Sequence, residues 1–223
     1  MNKVISFNGV DGSGKTTQID LLLERYSSLV EKIGNSESFF DSNINDFNWW
    51  FRLSTPKEFT DTIYQCIEKR NNLVSKSNKS IILLDKGLKN FDARVVATLM
   101  SKGVDEFAAK EMIKYAKEKY NIKNLETLSL FFEIAANSDE RKKITAKRKF
   151  SELNGDDLTL YSRYQDYQNK IIQEQISNGE YYIFNATGTK EEVNQRLSKI
   201  ILCNTDLENM DEHEKNKIYS LEK

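Results

Sequence analysis

The residues Gly9-Val10-Asp11-Gly12-Ser13-Gly14-Lys15-Thr16 set glycines, a lysine and a hydroxyl at the spacing G-x-x-x-x-G-K-[ST]. Glycines let such a loop curl until successive backbone N–H groups face one phosphate, and a following helix adds the partial positive charge of its N-terminus. A lysine at this place reaches the β- and γ-phosphates of a nucleoside triphosphate, and the neighbouring hydroxyl ligates Mg2+. Gly9, Asp11, Gly12, Ser13, Gly14, Lys15, Thr16 and Thr17 are therefore the candidate triphosphate-binding residues. Thr16 is also a candidate metal ligand.

That chemistry needs the loop to join a strand to a helix. Val4 to Phe7 is an apolar run of strand length ending at Asn8-Gly9, and Leu21, Leu22, Leu23, Tyr26, Leu29 and Val30 follow at helical spacing. The pattern predicts a helix that fades near Ile33-Gly34, with Gly34 as its C-cap. Residues 35–57 offer only Ser38-Phe39-Phe40 as a short strand and the aromatic cluster Phe47 to Phe51. Thr55-Pro56 opens a helix that runs to about Val74, with Phe59, Ile63, Ile67 and Leu73 as its apolar stripe.

Ile81-Ile82-Leu83-Leu84 reads as a buried parallel strand, followed by helical patterns over Ala93–Met100 and Asp105–Tyr120. Leu128–Ile134 and Tyr181–Phe184 are two further strands. Helical patterns cover about Ser138–Lys149, Asp157–Ile176 and Lys190–Leu202. Alternating elements of this kind predict an α/β fold of three layers, a parallel sheet with helices on both faces. The P-loop domain would span 1–203, with a charged tail over 204–223.

Asp85 closes the strand Ile81–Leu84, so its carboxylate emerges at the carboxyl edge of the sheet, where open α/β folds bind ligands. There it can hold Mg2+ or place an acceptor group, although a strand-end turn residue or helix cap would look the same.

Phe7-Asn8-Gly9-Val10-Asp11-Gly12-Ser13-Gly14-Lys15-Thr16-Thr17-Gln18 resembles the opening of thymidylate kinases, F-E-G-x-D-G-S-G-K-T-T-Q, with Asn8 in place of Glu. The outline of that family can be followed to about residue 202. The resemblance implies a P-loop kinase that uses ATP and Mg2+, and it suggests a homodimer. Arg70 resembles the arginine of the family's F-A-A-D-R helix, which faces the acceptor nucleotide; a solvated helix charge is the alternative. Lys86 stands where the family's Asp-Arg-Tyr has its phosphate-contacting arginine, the sequence here being Asp85-Lys86-Gly87. Arg52, beside Trp49-Trp50-Phe51, is a further candidate acceptor contact.

The basic run Asp139–Lys149 has the position of the lid of small kinases, about 137–155, with Arg141 and Arg148 as the arginines that close over the transferring phosphoryl group. A solvated helix face would read alike. Asn185-Ala186-Thr187-Gly188-Thr189 resembles the family's adenine-side loop, which makes Thr187 a candidate cofactor contact, and an ordinary turn is the alternative. The family's T-R-E-P-G-G-T segment has no counterpart in residues 35–57. The acceptor is thus left open between a nucleoside monophosphate and a small metabolite with a hydroxyl or amine, for which Asp85 or Asp11 would be the base. A nucleotide-dependent switch is the reading from another class.

Composition narrows the field. Lys plus Arg (33) balances Asp plus Glu (34), so no basic field argues for nucleic acid or an anionic membrane. Two well-separated cysteines and a single His supply no zinc-site spacing. With no apolar run of membrane length and no leader pattern at Met1-Asn2-Lys3, the expectation is a soluble, cytoplasmic protein.

Overall fold

The computed structural model describes residues 2–9, 12–34, 39, 47–133 and 155–203. Its chain falls into two compact units, Met1–Thr187 and Gly188–Lys223. In the first, five strands form one sheet: β1 (Lys3–Asn8), β2 (Val30–Ile33), β3 (Ile81–Asp85), β4 (Leu128–Glu133) and β5 (Tyr182–Asn185). Their order is β2-β3-β1-β4-β5, and every pairing is parallel. The register sets Phe7 opposite Asp85 and Asn8 opposite Phe131, so β1, β3 and β4 end at one edge.

Both alternating sets of β1 side chains are buried, as a strand covered on two faces requires. Val4, Ile82 and Leu84 pack with Val74 of α2 (Pro56–Lys76). α1 (Lys15–Arg25) lies beside β2 and β3 and buries Ile19 and Leu22. A larger core joins α2 to α3 (Leu88–Ser101), α4 (Glu106–Lys119) and α5 (Gly155–Ser177), and it takes in Phe131 of β4. The α/β reading with helices on both faces therefore holds.

Two local outcomes differ from the sequence expectation or sharpen it. The helix after the loop does not run to Gly34: it stops at Arg25, and Val30–Ile33 is the edge strand β2. The aromatic cluster 47–51 forms a short helical segment whose last turn, Trp49–Leu53, is π-helical. The Thr55-Pro56 start stands as expected. The Thr55 hydroxyl accepts from the Glu58 N–H (3.2 Å), the Glu58 carboxylate accepts from the Thr55 N–H (3.4 Å), and proline fills the first turn.

In the second unit, α6 (Lys190–Cys203) buries Val193, Leu197 and Ile201 along one face. It opens on a reciprocal cap between Thr189 and Glu192. The basic segment expected to form a lid lies outside the described residues, apart from its end at Gly155.

Candidate functional site

The loop after β1 is shaped by glycine. Gly9, Gly12 and Gly14 all take positive φ. At Gly9 (φ +136°) a Cβ would lie 3.0 Å from the Phe132 carbonyl oxygen, so the chain passes too close to β4 for any side chain. Gly14 heads α1 with no side-chain cap, which leaves the first backbone N–H groups of that helix available to an anion.

Lys15 is buried at 5% exposure, and its ammonium donates to the Gly9 carbonyl (3.1 Å) and the Ser13 hydroxyl (3.1 Å). These bonds fold the lysine back along its own loop. Val10 and Asp11, the latter a candidate loop residue, lie outside the described residues.

Across the sheet edge, the Thr16 hydroxyl donates to Asp85 Oδ2 at 3.1 Å, joining the start of α1 to the end of β3. Asp85 Oδ1 is buried and has no hydrogen-bond partner. A buried carboxylate oxygen left in this way is costly, and a hard cation bound by oxygen ligands would satisfy it. Thr16 and Asp85 together thus fit Mg2+. Among the described residues no cluster of three His, Cys, Asp or Glu offers another metal site.

Lys86 follows at φ +79°, a left-handed conformation unusual for a side chain of its size. It is buried at 7% exposure, and its N–H donates to the Phe7 carbonyl at 3.0 Å. Arg70, on α2, is 1% exposed, and its Nη1 donates to the Lys86 carbonyl at 2.9 Å. Burial pulls the Arg70 guanidinium down to about 10, with the Glu126 carboxylate opposing, so it stays charged at neutral pH. Its Nε is buried without a partner. Arg52 is held in an ion pair with Asp157 at the start of α5. Thr187 follows β5, where its N–H (2.9 Å) and hydroxyl (2.6 Å) donate to the Asn185 side chain. Arg141 and Arg148 lie outside the described residues.

Three further buried or network-forming polar residues were not singled out from the sequence for a role. Asn8 is fully buried, donating to the Ser6 hydroxyl (2.9 Å) and accepting from the Gly87 N–H (2.8 Å). Glu126 accepts from both Ser6 and Ser129. Arg94, 5% exposed on α3, lies over the rings of Trp50 (5.2 Å) and Phe91 (5.8 Å) and donates to the Tyr164 hydroxyl. Arg94 had one legible hint, a basic residue inside the apolar run Phe91–Leu99. A separate cavity of about 410 Å³ opens among α3, α4 and α5 and is lined by none of the candidate site residues.

A parallel sheet with a glycine loop at its carboxyl edge, a lysine inside that loop and a hydroxyl–carboxylate pair beside it has the P-loop NTPase arrangement. No protein-family model matches the chain. Over 126 residues it is 29% identical to a probable thymidylate kinase of Sulfolobus acidocaldarius, a match covering 52% of this chain and 59% of that protein. The chain thus spans less than two thirds of that relative's length. Its fold is similar to thymidylate kinase from Candida albicans, with TM-score 0.65 and 16% identity over 91% of this chain and 92% of that one. It is also similar to thymidylate kinase from Ehrlichia chaffeensis, with TM-score 0.53 and 15% identity over 90% and 98%. The chain is thus similar in part of its sequence to a probable thymidylate kinase and in its fold to thymidylate kinases.

Proposed function

We propose that the chain is a phosphotransferase that moves the γ-phosphoryl group of Mg·ATP to a small acceptor, a nucleoside monophosphate by first preference. The observation that carries this reading is the meeting of Lys15, Thr16 and Asp85 around a glycine loop, with Asp85 Oδ1 left for a cation. An oxygen of the acceptor phosphate attacks the γ-phosphorus, the bond to the β,γ-bridging oxygen breaks, and ADP leaves. When bound, Mg2+ supplies charge neutralisation at the phosphate oxygens.

Lys15 and the amides at the start of α1 hold the β- and γ-phosphates, while Thr16 and Asp85 hold the metal. Arg141 and Arg148 close over the transferring group. Arg70 and Lys86 face the acceptor, and the unpartnered Arg70 Nε is a donor that an acceptor oxygen can take. Arg52 contributes from the rim of the acceptor side, and Thr187 belongs to the adenine side. A phosphate acceptor needs little help from a general base, in keeping with a chain that has one His, in its charged tail.

The test is ADP release from Mg·ATP across nucleoside monophosphates, nucleosides and small metabolites. Turnover with at least one monophosphate is expected, falling roughly 100-fold or more in Lys15→Ala. No turnover with any nucleotide acceptor would sink the reading. Turnover with a metabolite alone would support a second reading, in which Asp85 is the base and the acceptor carries a hydroxyl or amine. Lys86-Gly87, in place of the arginine and tyrosine of the resemblance, favours that alternative.

A further inference from the structure

We infer that Glu126 is a positioning residue of this site: its carboxylate anchors the turn Asp85-Lys86-Gly87, and through that turn it sets the Asp85 carboxylate against Thr16. The inference rests on the proposed triphosphate site.

Glu126 lies in the connection before β4, outside any motif, yet its two oxygens gather three elements. Oε2 accepts from the hydroxyls of Ser6 on β1 (2.5 Å) and Ser129 on β4 (2.5 Å). Oε1 accepts from the backbone N–H of Leu88, the first residue of α3. Gly87, the N-cap of that helix, offers no side-chain cap, so Glu126 serves in its place from 38 residues away.

The rest of the turn is held just as fully. Lys86 N–H donates to the Phe7 carbonyl, Gly87 N–H donates to Asn8 Oδ1, and the Lys86 carbonyl accepts from Arg70. Glu126 supports the last of these as well, since its charge favours the protonated form of the buried Arg70. Asn8 and Glu126 share the Ser6 hydroxyl, so the two anchors form one network. Fixing Lys86 in its left-handed conformation fixes the direction in which the preceding Asp85 leaves β3.

The same geometry accounts for the glycine after Lys86. A Cβ at Gly87 would overlap Glu126 Oε2 and lie 2.5 Å from the Ser6 hydroxyl oxygen. The φ of Gly87 is −84°, so steric exclusion and not backbone strain makes it glycine. A side chain at 87 and a carboxylate at 126 therefore exclude one another.

The experiment compares wild type, Glu126→Gln, Glu126→Ala, Gly87→Ala and the double variant Glu126→Ala/Gly87→Ala. Two readouts are used: urea unfolding without ligand, and ATP affinity by calorimetry in EDTA and in Mg2+. Gly87→Ala should destabilise the wild type but cost much less in the Glu126→Ala background, because the Glu126 atoms it strikes are gone and the Ser6 hydroxyl, no longer held by Oε2, is free to turn aside. Glu126→Ala should leave ATP affinity in EDTA within about twofold while weakening the Mg2+-dependent gain roughly tenfold or more, as loss of an outer support of a metal ligand does. Glu126→Gln should keep most of that gain, since its oxygen can face Leu88 N–H and its amide the two serines.

Additive costs in the double variant would overturn the inference. So would a Glu126→Ala chain that binds Mg·ATP as wild type does, or one equally weakened with and without Mg2+. Should the alanine variant not fold, Glu126→Asp replaces it: one methylene shorter, it draws the carboxylate from Leu88 and Gly87 with the same expected effects. A chain that binds Mg·ATP but transfers to no acceptor would end the kinase reading and leave both of these readouts intact.

Discussion

At the scale of residues, the chemistry gathers where backbone is forced. Lys86 at φ +79° places its Cβ against its own carbonyl, a cost of roughly 1–2 kcal/mol for a residue with a side chain. Glycine would escape that cost but lose about 0.5–1 kcal/mol through the freedom of the unfolded chain. Lys86→Gly should therefore be more stable than Lys86→Ala by about 0.5–1 kcal/mol in urea unfolding, the reverse of their order at an ordinary position. Equal stabilities would mean the turn is not strained. Both variants should release ADP more slowly, because both remove the ammonium proposed to face the acceptor. Lys15, Thr16 and Asp85 were legible in the sequence because each is set by its neighbours: a loop motif, or the last place in an apolar strand. Glu126 was not, because its bonds to Ser6 and Leu88 span 120 and 38 residues, and its one near partner, Ser129, belongs to no motif.

At the scale of elements, local patterns succeeded where local chemistry closes the element. The capping box of Thr55 and Glu58 starts α2 where the sequence says it should. The pattern Leu21–Val30 misled because helical spacing continued past the helix. Tyr26 ends α1, and Val30–Ile33 pairs with Ile81–Leu84, a long-range ladder that overrides local periodicity. Another long-range tie fastens the helices. The Tyr64 hydroxyl of α2 donates to Asp92 of α3 at 2.5 Å, and Lys117 of α4 pairs with the same carboxylate. Burial pushes the Asp92 carboxyl up, against the opposing pull of Lys117 and Tyr64. A raised carboxyl means that the folded state binds the proton more tightly than the unfolded chain. The associated stability is present below the ordinary carboxylate range and is lost as pH rises through the raised value. Asp92→Asn should therefore remove part of the decline in unfolding free energy measured by urea from about pH 4 to pH 7. Parallel pH profiles for the two chains would show that Asp92 is not held up.

At the scale of the whole molecule, strand order decides where the ligand goes. The sequence told that strands and helices alternate, and hence that the sheet is parallel, but not that β1 would lie between β3 and β4. Loop lengths and apolar runs carry no strand order; packing of the sheet faces does. With β1 central, β2 and β3 are laid down on one side of it before the chain crosses to β4 and β5 on the other, the reversal at which open α/β sheets bind ligands. Loop, Asp85 turn and Glu126 network all converge on that point, so binding there should tie the ends of β1 and β3 to the start of α1. Ligand that binds only the folded state stabilises it by about 2.7 kcal/mol at 100 times its Kd. For a chain of this size that is a rise in Tm of roughly 5–10 °C. A non-hydrolysable ATP analogue with Mg2+ should give such a rise in wild type. Asp85→Asn should keep the rise seen in EDTA and lose the increment due to Mg2+, and Lys15→Ala at the same ligand concentration should lose most of the whole. An undiminished rise in Lys15→Ala would place the nucleotide outside the loop and remove the foundation of the proposed function.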